Sequence, residues 1–428
     1  MENTENKIPN SENQDTQNSS FFSESISSSN GLEPFPKLRF LEFKNTYKKI
    51  KLNKAVERIQ RKDPTSEAPV MMLSAASGFI MQSEKYSREN AGQSLKKYIL
   101  LKKGELAYNH GASKYKPFGC CFELKEEEAR IPYVYHCFAV KENNDKSYIA
   151  RLLNNQKIDQ QLKRLISSSV RMDGLLNISY EEYTGIDLYL PSLPEQQKIA
   201  AFLSLVDVRI EKQRKLVENL KKYKRGLFFE IFEQKRRFKD GNNKFYPKWE
   251  KKSLGTIFKE RTERAIGNEE LLSVTINSGV KKRCEVDVKD NSSDDKSKYK
   301  KLYPNDIAYN TMRMWQGASG VSLYEGIVSP AYTVITPIIP VKIGFFGYYF
   351  KYIKTIQIFQ KFSQGLTSDT WNLKYPQLSE IQLLIPNIEE QEKIYETFKF
   401  LDDKILLSEN TLNLLQDIKK GLLQKMFI

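Results

Sequence analysis

Histidine and cysteine are scarce in this chain of 428 residues, which holds two histidines and four cysteines. Neither type forms a spaced pair of the kind that holds zinc, because no Cys-x-x-Cys and no histidine repeat occurs. Four thiols in a chain of this length are also too few for a disulfide framework. We therefore expect a protein of the reducing cytoplasm that has no metal site.

Long apolar runs and nucleotide-binding loops are missing as well. No stretch approaches the roughly 18 consecutive apolar residues of a membrane span, and no secretory leader opens the chain. No Gly-x-x-x-x-Gly-Lys-Ser/Thr phosphate loop occurs, and neither does the Asn/Asp-Pro-Pro-aromatic loop of an adenine methyltransferase. We expect a protein that spans no membrane, binds no cofactor of its own and is not an enzyme.

Basic and aromatic residues are abundant. Lysine and arginine number 68 against 53 aspartates and glutamates, which gives a net charge of +15 and favours a polyanionic partner. A basic surface without a specific partner is compatible with the same numbers. The 23 tyrosines and 24 phenylalanines need burial or a stacking partner, so most of the chain is folded, in two or three domains.

The first part of the chain differs from the rest. Residues 1–33 consist mainly of Asn, Ser, Glu and Gln, and they contain too few apolar residues to build a core. We interpret this segment as a disordered tail.

An internal repeat dominates the remainder of the chain. Residues 176–232 match residues 371–427 at a constant offset of 195 without a gap. The pairs include Asn177 with Asn372, Pro191 with Pro386, Glu195 with Glu390, Gln196 with Gln391, and Asp207 with Asp402. A looser copy lies upstream, where Ala107-Tyr108-Asn109 matches Ala308-Tyr309-Asn310 at an offset of 201. Duplicated ends therefore enclose middles that differ.

Each middle alternates short β-branched and aromatic runs with helical patterns. Strands are predicted within 133–140 and 327–339, and helices around 149–166 and 347–362. The pattern indicates an α+β fold of two pseudo-symmetric mixed α/β domains at 34–190 and 237–385, each followed by a long helix, at 191–236 and 386–428.

The two long helices carry apolar residues at heptad spacing, which predicts a seam buried against another helix. We expect the two copies to pair as an antiparallel coiled coil, although two independent amphipathic helices would show the same pattern. The predicted pairing residues are Ile199, Leu203, Val206, Ile210, Gln213, Val217, Leu220, Ile394, Phe398, Leu401, Ile405, Ser408, Leu412 and Leu415.

Four seam positions are polar, and they recur at matched places. Gln213 and Ser408 lie near the middle of each helix, where a polar layer would fix the register, and Lys224 and Lys419 lie further along. Gly226 and Gly421 lie near the helix ends, where either close packing by a partner or simple fraying explains a glycine.

These motifs together resemble the specificity subunits of type I restriction-modification systems. The segments Leu-Pro-Glu-Gln-Gln-Lys-Ile-Ala from Leu193 and Ile-Glu-Glu-Gln-Glu-Lys-Ile-Tyr from Ile388 are similar to the two conserved regions of that family. The openings at 36–40 and 246–249, Asn177-Ile178-Ser179, and the run from Tyr309 to Gly317 are similar to parts of its two target recognition domains.

The resemblance implies a subunit without catalytic residues that binds an interrupted DNA site. Each recognition domain would bind one half, and paired helices would hold the halves at a fixed distance. It further implies two adenine methyltransferase subunits and translocase-nuclease subunits as partners, with S-adenosylmethionine, ATP and magnesium bound by those partners. A duplicated coiled-coil scaffold without DNA contacts is the alternative.

Polar and basic residues of the divergent middles are the predicted DNA contacts. An arginine side chain can form two hydrogen bonds with one guanine, and Asn or Gln can form two with one adenine. Runs of basic residues bind phosphates instead. Solvated loops, and a core position for Trp315, are the alternatives. The candidates are Asn109, His110, Lys114, Lys116, Arg171, Lys281, Lys282, Arg283, Asn310, Arg313, Trp315 and Gln316.

Overall fold

A computed structural model describes most of the chain, namely residues 22–24, 35–85, 92–111, 113, 116–166, 176–267, 269–276, 278–286, 295–367 and 370–428. The chain divides into two compact units, unit 1 (residues 1–212 and 412–428) and unit 2 (residues 213–411). Both divisions fall inside the long helices. The five segments expected from the sequence are a different partition of the chain, and their boundaries remain a prediction.

Unit 1 is built around a four-stranded antiparallel sheet with the order β4-β11-β8-β9. Three further antiparallel pairs, β12 with β3, β5 with β6 and β7 with β10, surround it. The strands are β2 (Leu38–Phe40), β3 (Lys48–Lys51), β4 (Val56–Arg58), β5 (Met71–Ser74), β6 (Gly78–Met81), β7 (Ile99–Lys102), β8 (Leu106–Asn109), β9 (Cys120–Glu123), β10 (Glu128–Ile131), β11 (His136–Val140) and β12 (Asp187–Leu190).

One strand falls in the predicted tail. Phe22–Glu24 form β1, which pairs antiparallel with β2. The open edge of β2 offers backbone groups that a neighbouring segment can bond. The disordered tail over residues 1–33 stays a prediction.

Unit 2 has the same strand order in its own sheet, β14-β21-β18-β19, and all pairs are antiparallel. The smaller pairs are β13 with β22, β15 with β16 and β17 with β20. The strands are β13 (Glu250–Ser253), β14 (Phe258–Glu260), β15 (Leu272–Thr275), β16 (Gly279–Lys282), β17 (Lys300–Leu302), β18 (Ile307–Asn310), β19 (Ser319–Val321), β20 (Gly326–Val328), β21 (Tyr332–Pro337) and β22 (Gln382–Ile385).

Both faces of each sheet are buried, which explains the continuous apolar strand sequences. In β8, Leu106 and Tyr108 enter the core shared with the helices, whereas Ala107 enters a second core under the small sheets. In β18, Ile307 and Tyr309 enter the helix-side core and Ala308 the other. Alternation of side chains along a strand thus divides each unit into two apolar layers.

The shorter helices pack on the helix-side face of each sheet. Each predicted helical stretch is split in two by a turn; in unit 1, Asn155 caps α4 by accepting a bond from the Lys157 amide and Asp145 caps α3 from the Tyr148 amide. The helices are α1 (Leu52–Ala55), α2 (Gln82–Lys85), α3 (Lys146–Leu152), α4 (Gln156–Leu165), α5 (Tyr180–Thr184), α6 (Leu193–Phe232), α7 (Ile343–Tyr349), α8 (Ile353–Phe362), α9 (Tyr375–Glu380) and α10 (Ile388–Met426).

The long helices α6 and α10 contain 40 and 39 residues, and both start in the same way. The Gln196 side chain donates to Pro191 O at 3.0 Å and accepts from the Asp145 amide at 3.0 Å. Gln391 repeats this pair of bonds with Pro386 O at 2.9 Å and the Lys342 amide at 3.0 Å. Each long helix is thereby tied to the N-terminus of the short helix of its own unit.

The heptad positions face protein in both units. Ten of the fourteen predicted pairing residues are buried and the other four are half-buried, so the seam is covered. Within unit 2, Gln213 Nε2 donates to Ser408 O at 2.9 Å, Lys221 lies 2.6 Å from Glu409, and Lys224 pairs with Asp402. Within unit 1, Lys419 Nζ lies 2.7 Å from Asp207 Oδ1.

Candidate nucleic-acid interface

Two loops meet in each unit at the same place in the fold. In unit 1, the loop after β8 bonds to the segment before α5 through the Leu176 amide and His110 O, at 2.9 Å. In unit 2, the loop after β18 bonds to the segment before α9 through the Leu373 amide and Thr311 O, also at 2.9 Å. We call these loop pairs the first and second reading loops, and seven of the twelve predicted DNA contacts are described residues of these loops.

An asparagine closes the first turn of each reading loop. Asn109 Oδ1 accepts from the Gly111 amide at 2.9 Å, and Asn310 Oδ1 accepts from the Met312 amide at 3.0 Å. This side-chain turn replaces a backbone turn and redirects the chain at the end of the strand. The amide oxygens of both asparagines are thus used inside the protein.

The second reading loop presents polar side chains to solvent. After Asn310, a 3-10 helix over Met314–Gln316 ends at Gly317, whose φ of 81° is the left-handed conformation that glycine tolerates. Met314 is buried beneath this turn, which leaves Arg313 and Gln316 exposed. These two predicted contacts are therefore free to reach a ligand.

Trp315 is only half-exposed, and it packs against its own loop. Its indole nitrogen donates to Met312 O at 3.0 Å, and its ring meets Trp371 edge to face at 5.1 Å between centroids. Trp371 and the fully exposed Leu366 belong to the adjoining segment before α9 and were missed from the sequence. The start of the repeat at Trp371 was the signal that could have pointed to this segment.

The first reading loop differs in how its candidates are placed. His110 is only 5% exposed, and its Nδ1 lies 3.0 Å from Leu176 O, so the structure places this predicted base contact inside the protein. Asn109 Nδ2 donates to Leu73 O at 3.3 Å, which uses the amide's donor as well. Lys116 Nζ donates to Asn154 O at 3.0 Å. Lys114 and Arg171 lie outside the described residues.

A stack of aromatic rings supports the first reading loop. Tyr108 and Tyr183 stack with centroids 3.8 Å apart, and His110 lies 5.0 Å from His136. Burial lowers the pKa of His136 to about 4, so its ring is neutral at pH 7.

The predicted phosphate contacts of unit 2 lie on β16 and the turn after it. Lys282 Nζ lies 3.2 Å from Glu270, which raises the pKa of that lysine and offsets its charge. Lys281 is half-buried, and Arg283 Nη1 lies 3.5 Å from Ser273 Oγ. Lys282 and Arg283 thus have partners within the protein, and all three side chains are less exposed than Arg313 and Gln316.

Metal-binding clusters are not found in the part of the chain that the structure describes, where no three His, Cys, Asp or Glu side chains come together. Among the same residues, no helix is both long and apolar enough to cross a lipid bilayer.

Part of the chain is similar to a known family of protein domains. Residues 246–417, which include the second reading loop and most of α10, match the model of the type I restriction modification DNA specificity domain. The resemblance to type I specificity subunits that the sequence predicted is confirmed.

Solved structures extend the likeness of the specificity domain to nearly the whole chain. The S subunit of a type I restriction-modification system from M. genitalium is 15% identical with a TM-score of 0.55, over 92% of this chain and 99% of that chain. A structure described by complex assembly and conformational transition of the type I R-M system is 14% identical with a TM-score of 0.50, over 90% and 98%. At these identities the likeness establishes a shared mixed α/β fold. No curated protein sequence matches the chain significantly.

Proposed function

We propose that the chain is the DNA-specificity subunit of a type I restriction-modification complex and that it recognises an asymmetric, interrupted DNA site. One observation carries this proposal: both units close the same strand with the same asparagine turn, yet the loops beyond that turn carry unlike side chains. Two domains that share a fold but differ in the side chains of these loops would bind two different half-sites.

The chemistry of the second reading loop suits the major groove. Arg313 and Gln316 are exposed beside each other, and these side-chain types form paired hydrogen bonds with guanine and adenine. The net charge of +15 supplies attraction to phosphates without sequence choice. Base contacts would then discriminate among sites that the charge has already attracted.

The long helices would act as the spacer between the half-sites. We propose that α6 and α10 pair as an antiparallel coiled coil about a pseudo-twofold axis, with Gln213 and Ser408 as its central polar layer. Their bond at 2.9 Å within unit 2 supports this register. A helix of about 40 residues is about 60 Å long, since each residue adds about 1.5 Å.

The outer faces of the same helices would bind the partner subunits. Leu205, Val208, Leu407 and Leu414 are 70%, 51%, 68% and 60% exposed, an unusual number of apolar side chains in water on helices of this length. We propose two methyltransferase subunits and the translocase-nuclease subunits as partners. S-adenosylmethionine, ATP and magnesium would be bound by those partners, and this chain would be non-catalytic and cytoplasmic.

The second candidate is a duplicated coiled-coil scaffold without direct DNA contacts. The pairing of Lys282 with Glu270 favours it, because a neutralised lysine contributes little to phosphate binding. Binding of the assembled complex to a DNA fragment at increasing salt separates the two, since only the DNA reader loses affinity steeply as salt rises.

The decisive experiment is a methylome of a restriction-deficient host that carries this chain with its methyltransferase partner. We expect one interrupted motif with methylated adenine. Arg313→Ala should lower discrimination at one half-site by about tenfold or more and leave the other half unchanged. Arg264→Ala is the matched control, because it removes the same charge from an arginine that bonds Lys298 O within unit 2. Equal loss at both halves would contradict separate readers.

A further inference from the structure

We infer that Asp207 and Asp402 are positioning residues that fix the orientation of each reading unit on the long helices and thereby set the spacing between half-sites. The inference rests on the proposed function and adds a specificity determinant to it. Neither residue touches the reading loops among the residues that the structure describes, so their effect would be on where the loops are held rather than on which bases they bind.

In unit 1, the Asp207 carboxylate joins three elements. It lies on α6 and accepts from Arg151 Nη1, in the last turn of α3, at 2.7 Å. Its other oxygen lies 2.7 Å from Lys419 Nζ on α10. Arg151 Nη2 also donates to Ser204 Oγ on α6 at 3.0 Å, so the arginine makes two hydrogen bonds to α6. One side chain thus ties the reading domain to both long helices.

In unit 2, Asp402 occupies the matched position in the repeat and makes equivalent contacts from α10. It accepts from the Tyr348 hydroxyl of α7 at 2.7 Å and pairs with Lys224 of α6. Lys224 and Lys419 are themselves matched across the repeat. The two lysines that interrupt the apolar seam therefore pair with the two aspartates.

A second attachment turns these contacts into an orientation constraint. Gln196 ties the start of α6 to the N-terminus of α3, and Asp207 ties α6 to the end of the same short helix. Gln196 and Asp207 are eleven positions apart, which corresponds to about 16 Å of helix. Two attachments separated along one axis fix tilt as well as position. Gln391 and Asp402 provide the same pair of attachments in unit 2.

The surroundings indicate positioning rather than core stability. The Asp207 and Asp402 side chains are 34% and 42% exposed, so their ion pairs are partly screened by water. Asp207 lines a cavity of about 400 Å³ in unit 1, and Asp402 lines one of about 1070 Å³ in unit 2. Water can enter at both places when a contact is removed, so a neutral substitution should leave the units folded.

The test compares spacer lengths in methylomes of the complex. Asp207→Asn and Asp402→Asn remove one charge each, and Asp403→Asn is the control, because Asp403 pairs at 2.9 Å with Lys399 of its own helix. For the two positioning variants, we expect the preference for the native spacing over a spacing one base pair longer or shorter to fall by about tenfold, with unchanged half-site bases. The control should keep the native preference.

Two milder variants distinguish a loss of positioning from a folding defect. Tyr348→Phe removes a single hydroxyl and Arg151→Gln a single charge from the reading-domain side, and both leave the Lys–Asp pairs in place. We expect the same relaxed spacing with wild-type melting temperatures, and Asp207→Glu should restore part of the preference. Unchanged spacing in all variants, or a uniform loss of methylation together with a lower melting temperature, would overturn the inference. A wild-type complex without an interrupted motif would instead refute the proposed function.

Discussion

A buried carboxylate at the start of each long helix has different partners in unit 1 and in unit 2. Glu195, at the start of α6, accepts from Arg39 through Nε at 2.7 Å and Nη2 at 2.8 Å, and from the Tyr47 hydroxyl at 3.1 Å. Its repeat partner Glu390 accepts from the indole of Trp249 at 3.0 Å and from the Phe238 backbone amide, with the Arg237 charge nearby. Both carboxylates are 1% exposed.

The consequence is electrostatic. The bond to Glu195 raises the pKa of Arg39, so the guanidinium keeps its charge inside unit 1. Burial raises the pKa of Glu390, and the bond from Trp249 and the charge of Arg237 only partly oppose that rise. The duplication has kept the acceptor at the helix start and changed its pairing partner, and the two units should therefore differ in how they respond to charge removal and to pH.

Removal of the unit 1 carboxylate should have the largest effect. Glu195→Gln leaves the Arg39 guanidinium buried without a counter-charge, which we expect to cost about 3–5 kcal/mol of unfolding free energy. Urea unfolding followed by hydrogen exchange measures the effect in each unit separately. Unit 1 should unfold at lower denaturant while unit 2 is unchanged, and a loss shared equally by both would contradict the comparison.

The second largest difference is expected in acid, which should destabilise unit 1 more than unit 2. The pKa of His136 is lowered from 6.5 to about 4 by burial, so the unfolded state binds a proton between these values and the folded state does not. Stability is therefore lost as the pH falls below about 6.5, by about 2 kcal/mol at pH 5. Both histidines of the chain lie in unit 1.

Melting curves between pH 7 and pH 5 measure this difference. In His136→Gln, a neutral amide can still donate to Ile178 O, which the ring nitrogen contacts at 3.1 Å. This variant should lose most of the pH dependence in unit 1. The same dependence in wild type and variant would assign the acid sensitivity to other groups.

The glycines near the helix ends should respond alike in the two units. A methyl group at Gly226 or Gly421 would meet nothing within 4 Å, so Gly→Ala should stabilise each helix by about 0.5–1 kcal/mol. Thermal unfolding of the isolated chain tests this. If either substitution instead weakens assembly with the methyltransferase partner, close packing by that partner explains the glycine.

The smallest change is expected at the unit 2 carboxylate. Glu390→Gln keeps an oxygen that can accept from Trp249 and removes a charge that burial disfavours, so stability at pH 7 should change by less than about 1 kcal/mol. Measurement beside Glu195→Gln makes it the matched control. A loss as large as that of Glu195→Gln would mean that Arg237 depends on the Glu390 charge as Arg39 depends on Glu195.

Local sequence patterns were sufficient for much of the fold. Heptads, together with Pro194 and the acidic residues that come after Pro191 and Pro386, predicted the long helices to within a few residues. Runs of β-branched and aromatic residues predicted strands within 133–140 and 327–339, where β11 and β21 lie. The break at Asn155 was not foreseen, since a capping side chain and a helical one look alike in an amphipathic pattern.

Prediction of the site was limited by contacts between distant residues. Arg39 and Glu195 are 156 positions apart, and no local pattern joins them. Lys224 and Lys419 were visible as exceptions in the seam, but their aspartate partners were not. His110 looked available for bases, because a sequence does not tell whether a polar ring at a strand end turns inward.

The asparagine turns after β8 and β18 have an evolutionary consequence. Each turn is closed by the last residue of the strand through its own side chain, at Asn109 and Asn310, so the backbone leaves the sheet in a set direction regardless of the sequence beyond it. The segment beyond such a turn could be replaced by recombination without any change in the sequence of the strands. New target sequences would then be acquired by grafting a loop, while the scaffold is inherited intact.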